Sequence, residues 1–463
     1  MLTRLHIRGF KNLLDFEVRF GPFTCIAGLN AAGKSNLFDA IRFLNLLTQK
    51  PIMEAVAELR DSRSRAASAE DLFTRFEKFI APEMRFTADL IVNRNVEDEF
   101  GVKAQAAIST LRYEVAFRMG PKNSGMLELA SESLEPISQQ TARGSIGFKH
   151  SRAFRNSVIS GRRTVDFISS SKVAPTTITV HQEGHGGRKI PAPNSTRTVL
   201  GGMANADFPS ILSAHQEMRS WQTLMLEPSA MRSPSLYRDP GFIDSRGANL
   251  PNTIYRLMRQ EDPSGRVASE LANRLARLID DVTSARVIED ERFETRTLTI
   301  AGRDGVEHAA HSLSDGTLRF LVLTVLDLDP EMEGVICLEE PENGIHPERI
   351  ETIIRLLQDI AVDADLAVDS TNPLRQVIVN THSPKVVSQV TTDDLIYIER
   401  ERIRRENSQG YIASAYVPPR SWREGGANHL VTGQMTAYLG RGGPPDQNEQ
   451  LLIDWYNAEI DKT

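Results

Sequence analysis

The eight residues Gly28-Leu29-Asn30-Ala31-Ala32-Gly33-Lys34-Ser35 constrain the fold more than any other stretch of this chain. Their spacing is G-x-x-x-x-G-K-[ST], a pattern with a physical purpose. Glycines let backbone N–H groups close around a phosphate, and a helix starting at the lysine adds the partial positive charge of its N-terminus. Both flanks agree. Phe23-Thr24-Cys25-Ile26-Ala27 is a short apolar run that reads as a strand, and Leu37, Ile41 and Leu44 then recur on one face of a helix expected to reach about Leu47. In such a loop Lys34 reaches the β- and γ-phosphates of a nucleoside triphosphate and Ser35 binds Mg²⁺. Asn30, Ala31, Ala32, Gly33 and Asn36 complete the cradle.

Three further segments carry chemistry. Val335-Ile336-Cys337-Leu338-Glu339-Glu340 is an apolar strand ending in two carboxylates. Set beside the loop's own strand, its end faces the γ-phosphate. Glu339 then orders Mg²⁺ through water, and Glu340 takes a proton from the attacking water. Ser312-Leu313-Ser314-Asp315-Gly316-Thr317 precedes a helix over 317–327; Ser314 and Gly316 offer a second anion site there, with a plain helix cap as the competing reading. Thr381-His382-Ser383-Pro384 ends a buried strand over 376–380, at the edge where open parallel sheets bind ligands.

Taken in order, residues 2–27 read as three strands, 52–80 as charged helix, and 84–134 as strands again, with a turn at Gly120-Pro121-Lys122-Asn123-Ser124-Gly125. Residues 135–205 are rich in Ser, Gly, Arg and Thr and read as a peripheral, irregular insertion. Residues 206–282 turn helical, with Val267, Leu271, Leu275, Leu278 and Ile279 on one stripe, and 285–310 read as a hairpin turning at Gly302-Arg303-Asp304-Gly305. Strands and helices then alternate to Ile398, which predicts a mostly parallel sheet covered on both faces. The expected units are 1–134, 135–282, 283–400 and a tail over 401–463 containing Trp422 and Trp455.

Composition narrows the setting. Cys25 and Cys337 both fall in expected central strands, as small core residues of a chain in a reducing cytoplasm. Met1 to Arg8 alternates instead of forming a signal-peptide core, and no apolar run approaches the ~18 residues of a membrane span. Net charge is −7, yet 141–200 holds ten Lys/Arg against Asp166 and Glu183. That stretch is a candidate DNA or partner surface, or else a solvated insertion.

The order and spacing of the four chemical segments resembles the ABC-type ATPase superfamily, in the branch that includes SMC, RecF and OLD-family proteins. Within it, the chain is similar to stand-alone "AAA family" ATPases of bacterial genome maintenance and antiphage defence. The resemblance makes 28–35 the Walker A loop, 313–317 the ABC signature, Glu339 and Glu340 the Walker B pair with its catalytic glutamate, and Glu342-Asn343-Gly344-Ile345-His346-Pro347 the D-loop. His382 matches the switch histidine. Ile7-Arg8-Gly9-Phe10-Lys11-Asn12 matches the opening strand and turn, where Lys11 and Asn12 approach the nucleotide. The family usually has Asp at the position of Glu339, and no glutamine of the loop between lobes is assigned, Gln105 being a candidate that nothing around it selects. The resemblance implies an α/β head with an N-terminal antiparallel β lobe, a P-loop sheet flanked by helices, and a helical and irregular insertion.

It also implies a mechanism and partners. ATP with Mg²⁺ is sandwiched between Walker A of one copy and Ser314 and Gly316 of another, so the chain forms at least a homodimer. The expected role is an ATPase gating a DNA-linked effector, in antiphage defence or DNA repair. No nuclease motif follows Ile398, so a separate nuclease or toxin supplies that activity. The alternatives are an SMC/RecF-like DNA clamp without effector and a transporter motor subunit. The long insertion disfavours the motor, and the absence of a long heptad run or CxxC hook disfavours the clamp.

Overall fold

The structure, a computed structural model, describes residues 1–59, 69–121, 125–171, 173, 176–181, 187–260, 265–276, 282–303, 305–405, 407–424 and 428–429. Two sheets organise them. The first is antiparallel, in the order Gly187–Pro191, Thr177–His181, Ile168–Ser170, Leu127–Pro136, Thr110–Met119, Met84–Ile91, Leu2–Phe10, Leu13–Arg19. The second runs Gln222–Leu224, Gly334–Glu339, Arg375–Thr381, Phe23–Ala27, Leu395–Arg405, Ser408–Val417, Asn428–His429. All its neighbours pair in parallel except the hairpin between Leu395–Arg405 and Ser408–Val417.

Strand residues explain the layering. Every residue of Phe23–Ala27 and of Arg375–Thr381 is buried, as a parallel sheet covered on both faces requires. Successive side chains sort to opposite faces. Val335, Cys337, Ile378, Ile26 and Ile398 join the core under the antiparallel sheet, whereas Ile336, Leu338, Val377, Val379, Cys25 and Tyr397 join the core under helices Asp315–Leu328 and Ile350–Ile360. Cys25 and Cys337 therefore face opposite ways; both are free and buried. Helix Lys34–Gln49 fills the first core with Leu37, Phe38, Ile41, Phe43 and Leu44. Its Phe43 packs against Phe10, Phe86 and Phe117, with ring centroids 6.4, 5.7 and 5.6 Å away. The outer face of the antiparallel sheet is tied by cross-strand pairs, Arg4 with Glu17 and Arg112 with Asp89.

The structure corrects several sequence expectations. Residues 135–205 are not irregular throughout. They contain helices Gln139–Ser145 and Arg152–Val158, each capped by a serine, Ser138 and Ser151, and three strands that extend the antiparallel sheet. These strands are short and Ser/Thr-rich, so their pairing, not their own periodicity, makes them strands. Of the helix expected over 52–80, the described residues show Ile52–Leu59, and from Ala69 on the chain is instead the short turn Ala69–Leu72 and the Arg75–Phe76 and Phe79–Ile80 hairpin. The hairpin expected over 285–310 turns where foreseen, with a third strand, Val282–Asp290, beside it. The expected tail instead opens with the long hairpin ending at Val417, then buries Arg423 to 2% exposure. Arg423 donates to the carbonyl oxygens of Asp393 and Arg19, under the phosphate-loop strand. Lys122 to Ser124 of the expected turn, Lys172 and Glu183 of the charged stretch, Leu278 and Ile279 of the stripe, Asp304, and 430–463 with Trp455 lie outside the described residues.

One buried carboxylate pins the insertion. Glu132 is 1% exposed and accepts from the Val199 and Leu200 N–H groups at 2.6 and 2.8 Å and from Tyr113 Oη at 3.0 Å. Burial outweighs these donors and pushes its carboxyl up to about 7. A carboxyl raised in the folded state contributes stability that is fully present below about 4.5 and is lost as pH rises through about 7. Wild-type stability is therefore expected to fall relative to Glu132→Gln between pH 5 and pH 8, a trend that denaturant titrations at the two pH values check.

Candidate active site

Strand register assembles the site. Glu339 pairs with Asn380, and Ala27 pairs with both Thr381 and Tyr397. Three parallel strands thus end together, and their following residues, Gly28, Glu340 and His382, meet at one edge. The loop needs unusual backbone there. Gly28 has φ 151° and a Cβ on it would lie 2.3 Å from the Ile398 carbonyl oxygen; Gly33 has φ 122° and its Cβ would lie 2.7 Å from that of Ala413. Ala31 takes the left-handed region at φ 61°. Lys34, 7% exposed, donates to the Gly28 and Leu29 carbonyls at 2.6 and 2.9 Å. Its ammonium is thus folded onto its own loop, and burial holds its pKa below the usual lysine value while Glu340, Glu342 and Glu339 pull the other way.

The opening turn buttresses the loop. Asn12 Nδ2 donates to the Ala32 carbonyl at 3.2 Å, and Asn36 donates to Asn12 Oδ1 at 2.7 Å. Lys11, at φ 48°, pairs with Asp39 one turn into the helix. The structure thus brings Asn12 against the loop and Lys11 against the helix that follows it. Asn30 lies exposed within the loop.

The acidic end is tightly organised. Glu340 adopts φ 45°, and its N–H donates to the Asn380 carbonyl at 3.0 Å. Its two carboxylate oxygens take different partners, Asn343 Nδ2 at 2.6 Å and His382 Nδ1 at 2.9 Å. Both Glu340 and His382 stay partly open to solvent. Beside them, burial pushes the Glu339 carboxyl up, and Asp39 and Glu340 add to the shift; hydrogen bonds from Asn380 and Ser35 oppose it. Glu342 accepts from Thr381 Oγ1 at 2.5 Å while its other oxygen is buried without a partner. The edge therefore holds crowded carboxylates, a serine hydroxyl on one of them, and a folded-back ammonium. That set fits a hydrated Mg²⁺ and a polyphosphate. Among the described residues no three His, Cys, Asp or Glu side chains converge as a metal cage, and Mg²⁺ needs none when phosphates complete its shell.

Ser314 and Gly316 lie apart from this edge's hydrogen bonds. Ser314 is exposed, caps helix Asp315–Leu328, and accepts from the Thr317 N–H at 3.2 Å. A Cβ on Gly316 would lie 2.9 Å from the Gly344 carbonyl oxygen, so the two loops are in direct contact. Gln105 bonds Asn95 at 3.0 Å on a short hairpin and makes no hydrogen bond to these residues. Sequence reasoning missed Asp39, Asn380 and Arg319. The first two sit on segments already assigned as helix and strand. Arg319 is held by burial below its usual pKa, with Asp315, Glu342 and Glu340 opposing the shift. Its place one turn beyond Asp315 was the available signal.

Comparisons with known proteins fall on the same segments. A family model described as "AAA domain, putative AbiEii toxin, Type IV TA system" matches residues 208–388, and one described as "AAA domain" matches residues 4–98. No curated protein matches the chain. Solved structures similar to it include an SMC head bound to the C-winged helix domain of ScpA, at 13% identity and TM-score 0.47, covering 89% of this chain and 97% of that one. The SMC head domain from Thermotoga maritima gives 13%, 0.37, 89% and 98% in the same terms. An Smc head with an extended coiled coil, bound to a ScpA C-terminal domain derived from Pyrococcus furiosus, gives 11%, 0.43, 89% and 96%. No helix among the described residues is long and apolar enough to cross a membrane. One AAA-domain model thus spans the loop that carries Lys34 and the other spans Ser314, Glu340 and His382, so over these segments the chain is similar to AAA-domain proteins.

Proposed function

We propose that the chain hydrolyses ATP in a site completed by a second copy of itself. The observation that carries this reading is the pairing of Glu340 with His382 at the edge where the loop strand ends. Lys34 leaves its loop carbonyls for the β- and γ-phosphates, and backbone N–H groups of Asn30 to Ser35 line them. Ser35 and Glu339 would hold Mg²⁺, which when bound neutralises charge on the phosphates. Glu340, fixed between Asn343 and His382, accepts the proton of the attacking water; His382 faces the γ-phosphate. Ser314 is exposed and Gly316 half-buried, and both serve the ATP held by the partner copy. ATP therefore closes a homodimer and hydrolysis opens it.

The reading extends to a DNA-linked role in antiphage defence or repair, with a nuclease or toxin as a separate partner and DNA meeting 141–200. The toxin–antitoxin description of the family that matches residues 208–388 supports the defence setting. A DNA clamp without an effector is the alternative.

Three outcomes follow. Glu340→Gln lowers ATP hydrolysis by about 100-fold or more, the typical contribution of a general base, while ATP-dependent dimers persist in size-exclusion chromatography. Unchanged hydrolysis would sink the assignment. Asn12→Ala removes two hydrogen bonds that brace the loop and weakens ATP binding by ~1–2 kcal/mol, read by calorimetry. Finally, Lys34→Ala and Ser314→Arg are each inactive alone, but mixing them restores part of the activity, because one composite site stays intact. No recovery on mixing would count against sharing of the site between copies.

A further inference from the structure

A second cationic feature lies away from the ATP edge. Residues Arg143, Arg162 and Arg163 line a cavity of about 560 Å³ together with Ser138, Gln139 and Thr164. Among the described residues no carboxylate lines it. Its backbone is fixed. Gly161 has φ 84°, and a Cβ there would lie 2.1 Å from the Ala107 carbonyl oxygen. Gln139 Nε2 donates to the Gly161 carbonyl at 2.8 Å, and Gly161 bridges to Ile108. Arg162 and Arg163 therefore project from an anchored turn. Arg163 is further held by its bond to the Val165 carbonyl at 3.1 Å and by the Phe167 ring, 5.0 Å from its guanidinium.

The cations around this cavity differ from the paired arginines of the sheets and helices. Arg4, Arg85, Arg112, Arg232 and Arg274 all hold carboxylates. Among the described residues, Arg143, Lys149, Arg152, Arg155, Arg162 and Arg163 hold none, though Asp166 lies nearby in the chain. Lys149 and Arg152 are exposed on the adjoining segment, so positive charge continues beyond the cavity. Uncompensated like charges held close together repel, and an external anion relieves that repulsion.

The location is informative too. Helix Arg152–Val158 is tied to the stretch before strand Arg375–Thr381 by Ser151 N–H to the Ala364 carbonyl, 2.8 Å, and by Val368 N–H to Ser157 Oγ, 3.0 Å. That strand carries His382 beyond its other end. A strand of seven residues spans roughly 20 Å, so the basic helices sit at the opposite end of the parallel sheet from the ATP edge.

We propose that the Arg143–Arg162–Arg163 cavity binds a phosphate of a nucleic-acid backbone, as the anchor of a surface on the opposite end of the head from ATP. This rests on the DNA-linked reading above and deepens it. Guanidinium groups suit phosphate oxygens, Ser138, Gln139 and Thr164 add hydrogen-bonding groups, and no aromatic side chain lines the cavity to stack on a base. Recognition is thus of backbone charge, independent of sequence.

The test is fluorescence anisotropy with a labelled 30-base-pair duplex over a KCl series. The proteins are the full chain, Arg143→Gln/Arg162→Gln, and Arg355→Gln as a charge control on exposed helix Ile350–Ile360. Losing two phosphate contacts is expected to make the slope of log K against log salt shallower by about 2 and to weaken binding at least tenfold at about 100 mM salt, with basal ATP hydrolysis retained. The control keeps the wild-type slope. An unchanged slope in the double variant overturns the cavity assignment and leaves the DNA-linked reading standing; no duplex binding by wild type at low salt overturns both. Displacement of the duplex by AMP at equal phosphate concentration overturns the backbone assignment in favour of a mononucleotide site.

Discussion

The parallel register of three strands governs the rest of the molecule. Phe23–Ala27, Gly334–Glu339 and Arg375–Thr381 must finish at the same height for a phosphate loop, an acidic pair and a histidine to share one edge. Register in a fully buried sheet is fixed by side-chain sorting, because a one-residue slip would exchange the two faces. Here the two faces serve different cores, one under an antiparallel sheet and one under helices. Packing on both sides therefore sets the placement of the polar ends. The chemistry at the edge inherits its accuracy from apolar contacts that never touch it.

Charge at that edge is deliberately unbalanced. Glu339, Glu340 and Glu342 surround a single buried ammonium, and burial with repulsion from Asp39 and Glu340 raises Glu339. Such an arrangement costs stability in isolation and is relieved by cations brought from outside. The left-handed backbone at Glu340 belongs to the same pattern, since a non-glycine residue keeps φ 45° only where its surroundings over-determine it. Asn380 supplies that constraint by taking the Glu340 N–H on both its carbonyl and its side-chain oxygen, the latter at 3.1 Å.

The sheet core and the Walker-type loop were legible because their signals are local and redundant. Glycine spacing, an apolar strand and a helical stripe all agreed over 23–44. The acidic strand and the histidine were legible by position alone. The extension of the antiparallel sheet was not, because Ile168–Ser170 joins the sheet through Leu134, more than thirty residues away in sequence, and Thr177–His181 is paired onto it in turn. Likewise, nothing local marks Arg423 as a core residue; its four-hundred-residue reach to Arg19 and Phe23 is purely tertiary. Residues such as Asn380 and Asp39 escaped notice because their side chains act on a segment they do not adjoin.

The contact between Gly316 and Gly344 carries a mechanical consequence. The glycine lets the first turn of helix Asp315–Leu328 rest directly on the backbone that follows Asn343. Asn343 in turn grips Glu340. A load applied at Ser314 from outside the molecule therefore travels through two backbone segments and the Asn343 amide to the carboxylate. The exposed cap is the end of a short lever, and the proton acceptor is its other end.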